Sequence, residues 1–159
     1  MTRGYISIGS NIDRDRNIAA GLQSIERVFG NLIPSSIYES APVGFSGDPF
    51  YNLVVGFDSE FDVNTVALNL REIEFAHGRL ADSKKFTART LDLDLLLYGD
   101  LVMNEGKLQL PRADIERYAF VLEPLAEIAP GLIHPVLQSS YAELWKKMPK
   151  DGVHQQKLI

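Results

Sequence analysis

Two aspartates with strand spacing are the most chemically suggestive residues of the chain. Asp92 and Asp94 lie within the apolar run Leu91–Leu97. Residues i and i+2 of a strand point to the same face, so the two side chains should project side by side, with their Cβ atoms roughly 7 Å apart. Such a pair repels and loses hydration unless a cation lies between the two groups, and ligand sets made only of oxygen favour Mg²⁺.

The alternative for this pair is an exposed strand edge that carries two solvated acids. The flanking leucines argue against that alternative, because a run this apolar normally belongs to a central, buried strand. We therefore expect Asp92 and Asp94 to lie in a central strand and to serve a chemical purpose there.

Basic residues gather on both sides of the two aspartates, although the whole chain has a net charge of −5. They are Arg79, Lys84, Lys85, Arg89, Lys107, Arg112 and Arg117. The net charge argues against a general nucleic-acid-binding protein, whereas a local basic cluster favours a compact anionic ligand. A metal ion and arginines together are typical of phosphoryl-type transfer, where catalysis consists mostly of positioning and charge neutralisation. For Lys84 and Lys85 alone, a solvated charged loop is the simpler interpretation.

The sequence contains neither a GxxxxGK[ST] phosphate-binding loop nor a dinucleotide fingerprint, so any nucleotide must be held by a different architecture. A third candidate feature is the Gly- and Pro-containing segment from Ala41 to Asn52, with Phe45, Phe50 and Tyr51. Its aromatic rings could stack on a flat heterocycle, or they could pack into the core. The three histidines have no metal-binding spacing and are expected to be structural.

The elements that must position these residues follow from hydrophobic periodicity and from turn residues. We predict strands at 5–8, 33–40, 52–57 and 91–98, and helices after Asp13 or Asp15, after Asp62 or Asn64, over 121–128 and over 141–148. This order predicts an α+β fold, with helices packed against a mainly antiparallel sheet. Residues 81–88 should form a polar loop, and the tail from about Lys150 should be disordered.

The chain has 159 residues and no cysteine. This length suits a single domain, and the composition excludes disulfides, thiol catalysis and cysteine-ligated zinc. The N-terminal segment lacks the features of a signal peptide, and no apolar run approaches the length of a membrane span. We therefore expect a cytoplasmic protein with no membrane partner.

Five segments, in order, resemble the family of hydroxymethyldihydropterin pyrophosphokinases. They are ISIGSN at 6–11, SIYESAPVG at 36–44, FYN at 50–52, RTLDLDLLLYG at 89–99 and YAFVLEPLAEIAP at 118–130. The resemblance covers about residues 4 to 136. It implies a ferredoxin-like α+β sandwich that transfers pyrophosphate from ATP to the hydroxymethyl group of 6-hydroxymethyl-7,8-dihydropterin, releasing AMP. ATP and the pterin are then the small-molecule partners, two Mg²⁺ ions are the cofactors, and we expect a monomer.

The resemblance also implies roles for individual residues. Asp92 and Asp94 take the positions that hold the two Mg²⁺ ions, and Arg79 and Arg89 are the catalytic arginines. The pterin-binding positions are Ser40, Val43, Phe50, Asn52, Glu74 and Phe120, with Phe50 and Phe120 on either side of the ring. We assign ATP binding to Arg79, Lys85, Arg89, Leu95, Arg112 and Arg117.

The chain departs from the family pattern mainly on the ATP side. Where the family commonly has a loop arginine, this chain has Ala81, and where the family has Trp-Gly-Pro, it has Phe86-Thr87-Ala88. Arg112-Ala113 replaces a His-Tyr pair of the family, and Tyr118 replaces an arginine. Arg112 and Arg117 can replace the missing positive charge, although an arginine does not have the shape of a histidine. The leading hypothesis is the pyrophosphokinase. A pterin-binding paralogue with weak or no transferase activity, or an unrelated enzyme with an Asp-x-Asp pair, is the alternative.

Overall fold

A computed structural model describes residues 1–41, 47–78, 90–151, 153 and 155–158. The helices are α1 (Arg14–Phe29), α2 (Val63–Ala76), α3 (Asp114–Arg117), α4 (Ala119–Ile128) and α5 (Tyr141–Lys147). The strands are β1 (Thr2–Ser10), β2 (Ile33–Pro34), β3 (Tyr38–Ser40), β4 (Phe50–Ser59), β5 (Asp92–Tyr98), β6 (Met103–Glu105), β7 (Leu108–Leu110) and β8 (Gln155–Lys157). None of the helices in these ranges is long and apolar enough to cross a lipid bilayer.

One antiparallel sheet organises the chain. Its strand order is β5-β1-β4-β3-β8, and β2 also pairs with β4. Strands β1 and β4 are the longest pair and run from Thr2 opposite Ser59 to Ser10 opposite Tyr51. Strands β6 and β7 form a separate hairpin. The sheet is therefore mainly antiparallel, as the sequence predicts.

Helices cover both faces of this sheet. Ile6, Ile8 and Val55 point from the sheet into a core that includes residues of α1 and α2. Tyr5 and Val54, which alternate with them along the strands, point into a second core with α4 and α5. Two apolar faces on one sheet require two helical layers, and the result is the predicted α+β sandwich.

Helix α2 begins as the sequence predicts. Asp62 precedes its first turn, and the Asp62 carboxylate accepts a hydrogen bond from the backbone N–H of Thr65 at 2.8 Å. This bond satisfies one of the backbone donors that a helix start leaves without an intrahelical partner. Asp13 precedes α1 in the same way, but its backbone is left-handed and its side chain makes no capping bond.

The single strand predicted for residues 33–40 is wrong, because two short strands occur there. Strand β2 ends at Pro34, and pairing with β4 resumes at Tyr38 after a one-residue change of register. Between them, the backbone N–H of Ser35 donates to the carbonyl of Val54, and the Ser35 hydroxyl accepts the N–H of Val54. A side chain thus replaces a ladder bond where the register shifts.

The prediction that the whole tail from about Lys150 is disordered is also wrong. Residues Gln155–Lys157 form β8, which pairs with β3 at the edge of the sheet. The backbone N–H of Leu158 continues this contact by donating to the carbonyl of Ile37 at 2.8 Å. Because the segment is polar, no apolar alternation announces this strand in the sequence.

Candidate active site

Asp92 and Asp94 lie on one face of β5, as their spacing predicts. Leu93 and Leu95 are buried in the core beside α1 and α2. Since side chains alternate along a strand, the two carboxylates point to the opposite face of the sheet. Both aspartates are only partly buried, and the Asp94 side chain is 26% exposed. A ligand can therefore reach them from solvent.

Strand β5 is the terminal strand in the described part of the sheet, so the expectation of a central strand is wrong. Its outer edge is nevertheless covered. The carboxylate of Glu74 on α2 accepts the backbone N–H of Leu93 at 2.7 Å, and the backbone N–H of Arg112 donates to the carbonyl of Leu96 at 3.0 Å. An apolar strand can stand at this edge because other segments supply the backbone partners of a neighbouring strand.

The family resemblance places Glu74 near the pterin, whereas the contact seen in the structure is with β5. It is buried, and its carboxylate holds the backbone of β5 at the residue between the two aspartates. This contact makes Glu74 a support for the aspartate pair. Direct binding of pterin by Glu74 stays a prediction.

A β-bulge determines what lies beyond Asp94. One extra residue, Leu96, interrupts the pairing of β5 with β1. Leu96 and Leu97 consequently both pack into the core beside α4. The carbonyl of Leu96 accepts the N–H of Arg112, and this bond brings the segment after β7 alongside the aspartates.

Arg112 forms ion pairs with two carboxylates. Its Nη2 lies 3.4 Å from Oδ1 of Asp94, and its Nε donates to Oδ2 of Asp114 at 3.1 Å. Burial acts to lower the pKa of Arg112, but the charges of Asp94, Asp114 and Asp92 outweigh it and raise the pKa above the ordinary value. The guanidinium therefore stays charged. Together, the three carboxylates and the one guanidinium carry a formal charge of −2.

The aspartate pair suits Mg²⁺ that arrives with a nucleotide. In the part of the chain that the structure describes, no three His, Asp or Glu side chains are grouped to hold a metal ion. Mg²⁺ is commonly bound by one or two carboxylates together with phosphate oxygens and water. Two accessible carboxylates and a residual negative charge therefore fit Mg²⁺ bound jointly with a phosphorylated ligand.

Gly9 connects this acidic region to a second polar group, Asn52. On β1, Gly9 stands opposite Asp92 on one side and opposite Asn52 on the other. Opposed residues of antiparallel strands face the same way, and two strand spacings place the backbones of Asp92 and Asn52 roughly 10 Å apart. A Cβ at position 9 would lie 3.0 Å from Oδ1 of Asn52 and 3.7 Å from the ring of Phe50. The glycine thus leaves an open floor between the two polar groups.

Asn52 is held in a defined orientation. Both Asn52 and Ser40 are buried, and the Asn52 amide donates to the Ser40 hydroxyl at 2.6 Å. An amide offers two N–H donors and a carbonyl acceptor, and this bond uses one donor. A fixed amide at the side of an open floor can recognise a heterocycle that presents both donors and acceptors.

Two phenylalanines flank the same region. Phe50 begins β4 on the face shared with Asn52, and Phe120 lies in the first turn of α4, which packs over that face. Both rings are partly buried. Tyr118 stacks on Phe120 with ring centroids 5.0 Å apart and an interplanar angle of 19°. Of the loop aromatics in the described residues, Tyr51 instead packs against the core beside α1 and α2.

The other predicted site residues divide into three groups. The Leu95 side chain is buried in the core, and an ATP contact by Leu95 stays a prediction. Arg117 is exposed at the end of α3, and its role stays a prediction. Four assigned residues lie outside the described ranges: Val43, Arg79, Lys85 and Arg89.

Sequence reasoning missed the residues that anchor the segment leading into β4. The Asn11 side chain donates to the carbonyl of Asp48 at 3.2 Å. Arg14 donates to the carbonyl of Pro49 at 3.1 Å and to the carboxylate of Glu39 at 2.7 Å. Asn11 belongs to the ISIGSN segment, which is a usable signal, whereas nothing in the sequence distinguishes Arg14 from other helix-surface arginines.

Residues 5–130 match the family described as 7,8-dihydro-6-hydroxymethylpterin-pyrophosphokinase (HPPK). The chain belongs to this family. Two similar bacterial proteins are named 2-amino-4-hydroxy-6-hydroxymethyldihydropteridine pyrophosphokinase. The Haemophilus influenzae protein is 34% identical over 139 residues, which cover 85% of this chain and 86% of that protein. The Pseudomonas aeruginosa protein is 36% identical over 139 residues, which cover 85% of each.

Solved HPPK structures share the fold. An HPPK-DHPS protein in complex with substrates aligns over 91% of this chain with a TM-score of 0.74 and 13% identity. Plasmodium falciparum HPPK-DHPS with pterin and p-hydroxybenzoate aligns over 92%, with a TM-score of 0.75 and 15% identity. This chain spans 43% of each of those solved chains, less than half their length. The likeness confirms the ferredoxin-like α+β fold.

Proposed function

We propose that this HPPK family member transfers the β,γ-pyrophosphoryl group of ATP to the hydroxymethyl oxygen of 6-hydroxymethyl-7,8-dihydropterin, a step of folate biosynthesis. One observation carries the proposal. Asp92, Gly9 and Asn52 form a row across three strands, with metal-binding chemistry at one end and heterocycle-binding chemistry at the other. The names of the bacterial relatives agree with this reaction.

On the pterin side, the chain supplies a fixed amide and two aromatic rings. Asn52, oriented by Ser40, would hydrogen-bond the edge of the heterocycle. Phe50 and Phe120 would stack on its two faces, where ring–ring contacts add to the burial of apolar area. Val43 and Glu74 are further contacts that the family resemblance implies.

On the phosphate side, the chain supplies carboxylates and a guanidinium. Asp92 and Asp94 would hold Mg²⁺, two ions according to the family resemblance, and Arg112 lies beside them to meet phosphate oxygens. When bound, Mg²⁺ neutralises charge on the transferred phosphates. Arg79, Lys85, Arg89 and Arg117 are proposed to add positive charge around the same group.

At the β-phosphorus of ATP, the reaction forms one P–O bond and breaks one. The hydroxymethyl oxygen attacks the β-phosphorus of ATP, the bond from that phosphorus to the oxygen bridging the α-phosphate breaks, and AMP leaves as the hydroxyl proton is released. The chain contributes mainly by positioning the two substrates, because holding reactants in line can supply much of the rate enhancement. We propose that residues 1–159 act as one domain and as a cytoplasmic monomer.

The direct test measures AMP. The purified chain of residues 1–159 is incubated with Mg·ATP and 6-hydroxymethyl-7,8-dihydropterin, and nucleotides are separated by chromatography. We expect AMP and pterin diphosphate in equal amounts, and no AMP when the pterin is omitted. Production of ADP instead would indicate ordinary phosphoryl transfer. Absence of any nucleotide product would refute the proposed activity.

A further inference from the structure

The short strand β8 borders the proposed pterin site. It pairs with β3, with Gln155 opposite Ser40, and Ser40 is in turn opposite Phe50 on β4. Directly opposed residues in antiparallel strands face the same way. Gln155, Ser40 and Phe50 therefore form one row on the sheet face that α4 covers.

The Gln155 side chain connects this row to the first turn of α4. Its amide nitrogen donates to the carbonyl of Ala119 at 3.1 Å and to Oε1 of Glu123 at 2.6 Å. Both N–H donors of the amide are thereby used. Ala119 directly precedes Phe120, so Gln155 holds the turn that carries the second aromatic ring.

Separate contacts tie the other end of α4 to the same side of the sheet. The Glu127 carboxylate accepts hydrogen bonds from the Tyr38 hydroxyl at 2.6 Å and from the Ser36 N–H and hydroxyl at 3.0 and 2.9 Å. Helix α4 is thus attached at both ends. Gln155 makes the attachment at the end near Phe120.

We propose that Gln155 is a positioning residue that sets the separation between Phe50 on the sheet and Phe120 on α4. The proposal rests on the proposed function, because it takes the pterin to bind between these rings. Stacking depends strongly on spacing, since a gap of about 0.5–1 Å already removes roughly a quarter to a half of a dispersion contact. Loss of Gln155 should weaken pterin binding and spare ATP binding, because the Asp92–Asp94 pair proposed to hold Mg²⁺ with ATP lies on β5, at the opposite edge of the sheet.

The test compares Gln155→Ala with Gln156→Ala. Gln156 has the same side chain on the same strand, but it is exposed and stands opposite Glu39. Calorimetric titration of the full chain with the dihydropterin, in the presence of Mg²⁺ and a non-hydrolysable ATP analogue, gives the pterin Kd. We expect at least about a fivefold weaker pterin Kd for Gln155→Ala, the scale of lost hydrogen bonds. The Kd of the analogue should be unchanged, and Gln156→Ala should change neither constant.

Exchanging the two partners of the Gln155–Glu123 hydrogen bond provides a second measurement. Gln155→Glu removes both donors and places a carboxylate against Glu123, so pterin binding should weaken more than in Gln155→Ala. Adding Glu123→Gln restores a donor–acceptor pair and should recover part of the loss, which a general destabilisation of β8 does not predict.

The outcomes separate this inference from the proposed function. Wild-type chain that binds pterin, with Gln155→Ala binding equally well, would overturn the positioning role alone. Equal losses in Gln155→Ala and Gln156→Ala, or no recovery in the double variant, would also overturn it. Wild-type chain that binds no pterin would refute the proposed function, and this inference with it.

Discussion

At the scale of single residues, the site depends on side chains whose charges act on one another. Asp94 is shared between a proposed metal role and an observed ion pair with Arg112. Asp92 contributes to the same electrostatic environment, since its charge helps to raise the Arg112 pKa. Replacing either aspartate therefore changes more than one interaction, and controls must separate the effects.

Asp92→Asn and Asp94→Asn should each reduce AMP formation by more than about a hundredfold, because a metal-held phosphate charge is worth several kcal/mol. Steady-state kinetics at saturating Mg²⁺ measures the loss, and circular dichroism checks that the fold persists. Asp100→Asn, at an exposed position just after β5, is the control and should retain activity. Near-normal rates in either site variant would contradict the metal assignment.

Arg112→Ala should raise the ATP KM or lower kcat by at least about tenfold, equivalent to roughly 1.4 kcal/mol of transition-state stabilisation. The variant should also be less stable without ligands, because Asp94 and Asp114 lose their shared partner. Arg117→Ala removes the same charge at an exposed position and should have the smaller effect. Unchanged kinetics in Arg112→Ala would limit this arginine to a structural role.

Gly9→Ala tests the open floor between Asp92 and Asn52. The added Cβ would lie 3.0 Å from the side-chain Oδ1 of Asn52, so the Asn52 amide or the ligand must shift. Overpacking of this kind costs about 1–3 kcal/mol, and we expect pterin binding to weaken by at least about fivefold with little change in ATP binding. Gly131→Ala is the matched control, because a Cβ there has nothing within 4 Å. Equal pterin Kd values for the two variants would show that pterin binding does not need the open space at Gly9.

At the scale of secondary structure, the sequence predicts the features that depend on neighbouring residues, such as helix starts and the faces of a strand. The start of α2 at Asp62 and the common face of Asp92 and Asp94 follow from a capping side chain and from strand alternation. Strand β8 and the Arg112–Asp94 pair do not follow, because each depends on partners distant in sequence. The apolar run of β5 predicted a central strand for the same reason. In the structure, α2 and the segment after β7 supply the backbone contacts that a neighbouring strand would make.

Glu74→Ala tests how much the contact between α2 and the edge of β5 contributes to stability. It leaves the N–H of Leu93 without the carboxylate acceptor observed here, and an unsatisfied buried donor costs about 1–3 kcal/mol. Glu74→Gln keeps an acceptor oxygen and should lose less stability. Urea unfolding measures both variants, with Glu72→Ala on the exposed side of α2 as the control. A Glu74→Ala variant as stable as the control would show that β5 does not need this edge contact.

At the scale of the whole molecule, the two sheet faces have different tasks. The face beneath α1 and α2 is covered by one apolar core. The other face carries an apolar core under α4 and α5 and, beyond these helices, the polar residues of the site. The site residues on β5, β1 and β4 share this second face. Helix α4 contributes to both its core and its site, so the stability of the α3–α5 layer bears directly on function.

His134 lies in that layer, between α4 and α5 in the chain, and we expect it to make the stability of the folded chain depend on pH. The side chain is 2% exposed, and its Nδ1 accepts the backbone N–H groups of Val136 and Leu137 at 3.1 and 3.0 Å. Burial lowers the His134 pKa, against a smaller opposing effect of Glu116. A proton on Nδ1 would also break both hydrogen bonds. The neutral ring is therefore the form that the folded chain requires.

The sign of the pH effect follows from this lowered pKa. Above the unfolded value, 6.5, both states are neutral at His134 and the stability contribution is complete. As the pH falls from there towards the folded pKa, the unfolded chain takes up the proton first, so the free energy of unfolding decreases. Urea unfolding from pH 8 to pH 5 should show this loss in the wild type. His134→Asn keeps an acceptor oxygen but cannot titrate, so its slope over the same range should be smaller. Equal slopes in the wild type and in His134→Asn would exclude His134 as the source of the pH dependence.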